Sequence, residues 1–210
     1  MITNRFSRKI VTVTLALAFL GTSVQAAESN VFSDVKKGAW YEDTLEWGLS
    51  KNMIKGYTDG TFKPNNTVTE AEFLTMLLRA YEPNLLSSAG QHWSEAYYKR
   101  AKELNYPVKS YTDLATRDDV VLRKQVAELI SSTEGVNFNG NNAIHYLLAF
   151  GLAEGTDPNE VSIKSFNGDK KLTRAEALQF VKNFAEYGIG GLLPRPTTAS
   201  DPNELPPLQL

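Results

Sequence analysis

Residues 56–72 read GYTDGTFKPNNTVTEAE, and this stretch decides which fold the chain can form. The pair Asp59 and Gly60 predicts a tight turn, because glycine tolerates left-handed backbone and aspartate can bond its own backbone. Thr69 and Glu72 have the spacing of a capping box, in which each side chain accepts a hydrogen bond from the other residue's amide. The stretch therefore predicts a patterned loop that ends in the first turn of a helix.

The same features recur twice further along the chain. Trp40 is matched by Trp93, and at the same offset residues 68–72 are matched by residues 121–125. A third copy is clearest at residues 172–176, which read LTRAE, and its loop is longer. Self-similarity of this kind indicates a repeat architecture. Each copy predicts a helix, a stop, a loop and a second helix.

Asn52, Asn105 and Gly151 are the predicted helix stops, since asparagine and glycine tolerate the left-handed conformation that ends a helix. The second helices carry apolar faces too wide for one partner helix to cover. Three units that cannot each bury a core should stack into one closed cluster, so we expect an all-α protein. The apolar residues of the second helices are Phe73, Leu74, Met76, Leu77, Leu78, Val126, Leu129, Ile130, Ala177, Leu178, Phe180, Val181 and Phe184.

Composition excludes several classes of protein. The 210 residues carry 22 lysines and arginines against 24 acids, and a net charge of −2 offers no field for nucleic acid. With no cysteine, the chain has no disulfide, thiolate nucleophile or zinc-thiolate site. Its two histidines, His92 and His145, cannot form a histidine-rich metal site by themselves. We therefore expect no nucleic-acid partner, no metal and no cofactor.

Both ends of the sequence differ from the repeats. Residues 1–26 combine a basic start, an apolar stretch and a small-residue exit, which predicts a signal peptide cleaved after Ala26. The apolar stretch is too short for a membrane-spanning helix, so we expect an exported chain with no membrane segment after cleavage. Residues 188–210 are rich in proline and glycine and predict an extended C-terminal tail.

Together with the upstream Phe-Ser-Asp-Val at residues 32–35, the patterned loop and its Thr-Glu-Ala-Glu ending closely resemble the S-layer homology motif. The third copy keeps the Thr-Arg-Ala-Glu of that motif, whereas the second copy is degenerate. The resemblance divides the chain into repeats at residues 27–81, 82–135 and 136–187. It implies a pseudo-threefold trimer of helix-loop-helix units around a central helical bundle.

What the resemblance implies is an anchor rather than an enzyme. In the S-layer homology family, grooves between repeats bind secondary cell-wall polysaccharide that carries pyruvate ketals. We therefore expect secretion and noncovalent attachment to the cell wall or S-layer of a Gram-positive bacterium, in association with peptidoglycan. We also expect a monomer, because the three incomplete units gain a common core only together.

Residues 70, 123 and 174 take equivalent first positions in the second helices, where we expect free side chains. An arginine beside a helix N-terminus makes an anion site, because backbone amides and a guanidinium fork both bind a carboxylate. Arg123 and Arg174 are thus candidate ligand residues, with Arg174 predicted to contribute most. The alternative is an arginine paired with a surface acid. Glu70 should repel the ligand, and Glu70→Arg is predicted to cost at most about 1 kcal/mol.

Two tryptophans and a loop complete the candidate site. Trp40 and Trp93 fall near helix starts, where each is either a buried packing residue or a platform for a sugar ring. Asp59, Gly60 and Thr61 form the turn of the patterned loop, and Asp59 either accepts from sugar hydroxyls or caps its own backbone. The sequence leaves these alternatives open.

Two other functions compete with the anchor. A small carbohydrate-active enzyme would use paired carboxylates such as Asp59 and Glu72, but the capping box already engages Glu72. A structural protein-binding module of the cell surface would use the acidic surface or the proline-rich tail. No pair of acids stands out, so we expect no enzymatic activity.

Overall fold

The computed structural model describes residues 32–86, 92–109, 111–157 and 159–208. The predicted signal peptide at residues 1–26 lies outside the described residues. Within them the regular structure is helical, and no β-strand is formed, so the predicted all-α class is confirmed. The seven α-helices are α1 Glu42–Ser50, α2 Glu70–Arg79, α3 Glu95–Glu103, α4 Arg123–Thr133, α5 Gly140–Ala149, α6 Ile163–Phe166 and α7 Arg174–Tyr187, with short 3-10 helices at Ala115–Asp118 and Pro202–Glu204.

The second helices begin where the capping boxes predict. At the start of α2, the Thr69 side chain accepts from the Glu72 amide at 3.2 Å, and the Glu72 carboxylate accepts from the Thr69 amide at 2.9 Å. Thr173 and Glu176 form the same pair of bonds at the start of α7. Leu122 precedes α4 and has no side-chain acceptor, so only Gln125 reaches back to the cap amide, at 2.9 Å. Two of the three boxes are therefore complete.

The first helices end at the predicted stops. Asn52, Asn105 and Gly151 have φ values of 53°, 58° and 67°, which place all three in the left-handed region. Each lies two residues after the end of α1, α3 or α5 and turns the chain into a loop. The residue types that tolerate this backbone therefore located the ends of these helices correctly.

The loop at residues 56–64 is held by other parts of its motif. The Asp34 carboxylate accepts from the Phe62 and Lys63 amides at 2.8 and 2.7 Å. The Phe32 ring packs so closely over Gly56 that a Cβ there would lie 2.0 Å from the ring. The upstream Phe-Ser-Asp-Val thus acts as a clasp for the loop, which explains why the two are found together.

Helices pack across copies. The contacts join α2 to α3, α4 to α5, and the first helix α1 to the last helix α7. At the α1–α7 contact, Gly48 allows close approach, because a Cβ there would lie 3.0 Å from the Leu178 side chain. Each pair combines a second helix from one copy with a first helix from another. The chain therefore closes on itself, and the predicted apolar faces of the second helices lie in a continuous core.

Three backbone hydrogen bonds link the second-helix starts in a ring. The Val68 amide donates to Leu172 at 3.0 Å, the Leu172 amide to Val121 at 3.2 Å, and the Val121 amide to Val68 at 3.0 Å. All three side chains are fully buried. Amide and carbonyl groups at the centre of the core are thus satisfied without a sheet.

A second set of bonds surrounds that ring. The Glu70 amide donates to Asp119 at 3.0 Å, and the Arg123 amide donates to Lys170 at 3.0 Å. The Arg174 amide donates to Asn66 at 2.9 Å. Residues 70, 123 and 174 therefore occupy equivalent backbone positions. Any chemical difference among the three positions comes from their side chains and from the neighbouring loops.

The described part of the tail, residues 188–208, contains no α-helix, and it lies against the body. Leu192, Leu205 and Leu208 pack on the core. None of the helices in the described residues is both long and apolar enough to span a membrane. The described tail therefore packs against the body and contains one short 3-10 helix, Pro202–Glu204.

Candidate functional site

The first residue of each second helix lies against a loop of a neighbouring copy, and these three places are the Arg123, Arg174 and Glu70 junctions. The side chains are nearly buried, with exposed fractions of 4%, 7% and 1%. The expectation that side chains at this position are free is therefore wrong. The loops that cover them come from distant parts of the chain, which a helix-by-helix argument cannot see.

At the Arg123 junction the guanidinium is enclosed by loop carbonyls and aromatic rings. Its Nε donates to the Phe166 carbonyl at 2.8 Å, and its Nη2 donates to the Glu154 carbonyl at 3.1 Å. The group lies over the rings of Phe166 and Phe180, 4.7 and 5.0 Å from their centroids. Its Nη1 is 3.5 Å from a carboxylate oxygen of Glu176. Burial lowers the pKa of Arg123, and Glu176 opposes that shift.

The Arg174 junction repeats this arrangement. Nε of Arg174 donates to the Phe62 carbonyl at 3.0 Å, and Nη2 donates to the Lys55 carbonyl at 3.5 Å. The guanidinium lies 4.9 Å from the centroid of the Tyr57 ring. The Glu72 carboxylate is 3.7 Å away. Both arginines thus have an acid nearby, as the surface-pair alternative requires, but their shorter contacts are to loop carbonyls.

The Glu70 junction has the opposite polarity. The Glu70 carboxylate accepts from the Tyr98 hydroxyl at 2.8 Å and from the Lys109 amide at 3.0 and 3.1 Å. Burial raises the pKa of Glu70, and these hydrogen bonds oppose the shift. A loop amide and a hydroxyl therefore replace the loop carbonyls of the arginine junctions.

Sequence reasoning missed the residues that support Glu70. Burial and the neighbouring Glu70 raise the pKa of Tyr98. The ring of Tyr98 lies under the buried guanidinium of Arg117, at 4.1 Å. Arg117 is paired with Glu95 at 2.7 Å. Glu95 and Tyr98 lie on α3, and Arg117 lies in the degenerate loop of the second copy. None of the three belongs to a recognisable motif.

A groove of about 850 Å³ opens beside the Arg123 junction. Trp40 lies on its wall and is 63% exposed, so it is not the buried packing residue of the first alternative. Lys170 and Lys182 line the same groove. The groove therefore combines an exposed indole with three cationic side chains, counting Arg123.

Acidic side chains balance these cations. Lys170 pairs with the Glu176 carboxylate at 2.8 Å, and Lys182 lies 3.8 Å from Glu186. Burial raises the pKa of Glu176, but the hydrogen bonds from Lys170 and Thr173 outweigh it and lower the pKa. A ligand carboxylate in this groove would compete with Glu176 for Lys170.

The patterned loop satisfies its own polar groups. The Asp59 carboxylate accepts from the amide and the hydroxyl of Thr61 at 3.1 and 2.5 Å and lies 3.1 Å from the Lys63 ammonium. The Thr61 hydroxyl bond, the largest cause, and Lys63 lower the pKa of Asp59. Gly60 has a φ of 76°, as the tight turn requires. Asp59 thus caps its own turn, which also carries the Phe62 carbonyl of the Arg174 junction.

The predicted site residues do not meet at one place. Arg123 and Trp40 line the same groove. Arg174 lies against the loop of Asp59, Gly60 and Thr61, which extends to its partner Phe62. Trp93 packs beside His92 and Tyr97, with ring centroids 5.5 and 6.5 Å away. The candidate residues therefore belong to at least two junctions.

Among the described residues, no cluster of three or more His, Cys, Asp or Glu side chains could hold a metal ion. His92 bonds Ser94 at 2.6 Å and lies 3.4 Å from Asp118, but Ser94 is fully buried and its hydroxyl cannot reach a polymer. Glu72 is engaged by its cap and by Arg174, so it is no free partner for Asp59.

Comparison with known proteins agrees with the motif. The sequence model of the S-layer homology domain family matches residues 31–74 of this chain. The chain is 29% identical over 167 residues to the middle cell wall protein of Brevibacillus brevis, covering 77% of this chain and 15% of that protein. It is 27% identical to the cellulosome-anchoring protein of Acetivibrio thermocellus over 58% of this chain and 30% of that protein.

A third relative aligns with most of the chain. The S-layer protein sap of Bacillus anthracis is 24% identical over an alignment of 211 positions, which covers 89% of this chain and 25% of that protein. Enzymes also match, over shorter stretches. The chain thus spans less than a third of the length of the three relatives described. The resemblance predicted from the sequence is confirmed: residues 31–74 match the S-layer homology domain, and the chain is similar to S-layer and cell-wall proteins.

Proposed function

We propose that this chain anchors noncovalently to the cell wall by holding a pyruvylated secondary cell-wall polysaccharide in grooves between its repeats. The observation that carries the proposal is the groove of about 850 Å³ in which exposed Trp40 faces the same space as Arg123, Lys170 and Lys182. This combination suits an acidic sugar polymer. The indole face packs on the C–H groups of a sugar ring, and the cationic side chains bind a carboxylate.

The proposal includes the arrangement of the repeats. The three copies, at residues 27–81, 82–135 and 136–187, form a pseudo-threefold trimer whose second helices make the central bundle. The ring of hydrogen bonds through Val68, Val121 and Leu172 supports this arrangement, because the same backbone bond is made three times between successive copies. Each groove then has walls from different copies.

The ketal carboxylate is the group that we expect the cations to recognise. Lys170 is half-exposed and has an acid partner that a ligand can replace, so it supplies a mobile ammonium. Arg123 is held by loop carbonyls and forms a rigid floor, which positions the remaining guanidinium hydrogens without loss of side-chain entropy on binding. Trp40 then sets the orientation of the sugar ring.

The second arginine junction extends the proposal to a second groove. Arg174 donates to loop carbonyls as Arg123 does, and Asp59, Gly60 and Thr61 belong to the loop that supplies them. Trp93 is the candidate platform there, by its equivalence to Trp40. This groove would bind the same glycan with different wall residues.

The proposed setting is the wall or S-layer of a Gram-positive bacterium, in association with peptidoglycan, with the chain secreted and monomeric. The relatives are named as cell-wall, cellulosome-anchoring and S-layer proteins, which supports a wall location. The proposal assigns no enzymatic activity, because Asp59 and Glu72 are both engaged by other groups. A protein-binding module remains the competing function, and the experiment below separates the two.

Co-sedimentation with purified Gram-positive walls tests the proposal. The full chain should sediment with intact walls and remain in the supernatant with walls from which mild acid has removed the pyruvate. Walls stripped of the secondary polysaccharide, with peptidoglycan left, are the matched control and should also lose binding. Equal binding to all three preparations would contradict the proposal and favour a protein or peptidoglycan ligand.

A further inference from the structure

The tail makes backbone hydrogen bonds to the body at alternate residues. The Leu193 amide donates to the Thr133 carbonyl at 2.9 Å, and the Arg195 amide donates to the Leu104 carbonyl at 2.9 Å. The Tyr106 hydroxyl donates to the Leu193 carbonyl at 3.0 Å. Leu193 and Arg195 are followed by Pro194 and Pro196, which have no amide hydrogen that needs an acceptor. The two amides of the segment Leu-Pro-Arg-Pro, at residues 193–196, therefore both find carbonyl acceptors on the body.

Side chains of the body continue this contact. The side-chain amide of Asn105 donates to the Arg195 carbonyl at 3.0 Å, and the side-chain amide of Asn137 donates to the Pro196 carbonyl at 3.0 Å. Further on, the Ser200 amide donates to the Asn137 carbonyl at 3.1 Å, and the Asn137 amide donates to the Ser200 hydroxyl at 2.8 Å. The tail is thus bound over residues 193–200 in the way that a peptide binds a groove.

The surface that holds the tail corresponds to the groove beside Arg123. Residues of the two grooves are matched by counting along the sequence. The helix stop and the first residue of the second helix serve as reference positions in each copy, and matched residues lie equally far from them. Three residues that line the Arg123 groove have their counterparts under the tail. The counterparts are Asn105 for Gly151, Gly135 for Glu186, and Asn139 for Trp40.

Two of these exchanges make room for the tail, and Asn105 adds a hydrogen bond to it. Gly135 has a φ of 78°, and a Cβ there would lie 2.9 Å from the Leu193 side chain, so a glutamate like Glu186 would collide. Asn139 replaces the bulky indole and accepts from the Arg195 guanidinium at 2.8 Å. The Glu70 junction has also exchanged its arginine for an acid. The third groove is therefore shaped for a basic peptide instead of an acidic glycan.

We propose that this third groove is a peptide-binding site for a proline-rich segment of the Leu-Pro-Arg-Pro kind, and that the chain's own tail occupies it. Prolines preset the extended conformation, so such a segment loses little entropy on binding. With the tail in place, the groove is closed to other ligands. The inference does not depend on glycan binding.

Hydrogen exchange on the full chain tests whether the tail is held. The Leu193 and Ser200 amides should exchange at least tenfold more slowly than in the free peptide of residues 191–200. Arg195→Pro removes the amide that donates to Leu104 and the guanidinium that bonds Asn139, so both amides should lose that protection. The Val121 amide, in the central ring, should stay protected and shows that the body is intact. Thr198→Ala, at an exposed tail position, is the matched control and should change nothing.

Binding in trans tests whether the groove is a peptide site. A fluorescent peptide of residues 191–200 should bind the Arg195→Pro chain one to one, and should bind the parent chain at least tenfold more weakly because the tail fills its groove. The same peptide with Arg195→Pro should not bind. Unprotected tail amides in the parent, or no trans binding to a variant whose Val121 amide stays protected, would overturn the proposal. Neither result would affect the wall experiment.

Discussion

The Arg123 and Glu70 junctions share one backbone frame and have opposite chemistry. In both, the first amide of a second helix donates to a neighbouring copy at 3.0 Å, and the side chain is buried under a loop. Arg123 donates to the carbonyls of Phe166 and Glu154, whereas Glu70 accepts from the Lys109 amide and the Tyr98 hydroxyl. The comparison shows that the loop's polarity, together with the side chain, decides what a junction can bind.

The largest expected effect comes from exchanging the two chemistries. Glu70→Arg would bury a guanidinium against an amide and a hydroxyl that already act as donors. We expect a loss of about 3–5 kcal/mol of unfolding free energy, as for a buried charge whose partner is removed. This corrects the estimate from the sequence of about 1 kcal/mol, which assumed a free side chain. Urea unfolding measures it, and a loss below about 1 kcal/mol would show that the junction can rearrange.

A pH series on Glu70→Gln is the control for that prediction. Because burial raises the pKa of Glu70 above 4.5, the folded chain binds this proton more tightly than the unfolded chain does. Ionised Glu70 therefore opposes folding increasingly as the pH rises from 4.5 through the raised pKa. We expect the parent to lose stability relative to Glu70→Gln over that window. A constant difference between the two would mean that Glu70 titrates normally.

The next effect concerns the two arginines. Arg123→Lys keeps the charge but loses the planar guanidinium fork. We expect it to weaken binding of a pyruvylated fragment by roughly tenfold, which is close to the lower end of the 1.5–3 kcal/mol that a charge-assisted hydrogen bond contributes. Arg174→Lys should weaken binding less, because the 850 Å³ groove is lined by Arg123 and not by Arg174. The sequence ranked the two in the opposite order. Calorimetric titration of variants with parental helix content decides between the rankings.

Tryptophan substitutions should affect binding without affecting the fold. Trp40→Ala removes an exposed indole from the groove wall, and we expect a loss of about 0.5–1.5 kcal/mol of binding free energy with an unchanged melting temperature. Trp93→Ala is the matched comparison from the second copy and tests whether the Arg174 junction binds too. If Trp40→Ala left affinity unchanged, the groove beside Arg123 would not be the glycan site.

The smallest effect compares the caps. Leu122 stands where Thr69 and Thr173 cap their helices, and its side chain accepts no hydrogen bond. Leu122→Thr should complete the capping box with Gln125 and add about 0.5–1 kcal/mol to the unfolding free energy. Thr173→Ala should remove about as much. Thermal unfolding checks both, and no gain for Leu122→Thr would show that packing of Leu122 compensates for the missing cap.

Local features were predictable because their causes lie within a few residues. The capping boxes at Thr69 and Thr173 join a residue to the third one after it, and Asn52, Asn105 and Gly151 end helices through their own backbone preference. The all-α class followed from the same local signals. The candidate residues Arg123 and Trp40 were also found in this way, because both occupy repeated positions.

What the sequence by itself determined is therefore the helices, their ends and the family motif. Tertiary structure alone decided that α1 packs on α7, that the arginines are caged by carbonyls, and that the tail lies across a third groove. The reason is physical. Charge and residue type can be read at one position, but burial, donor and acceptor partners and free space depend on loops that arrive from elsewhere in the chain. Glu70 and Arg123 occupy the same place in the repeat, and only their neighbours reveal that one accepts from a loop amide and the other donates to loop carbonyls.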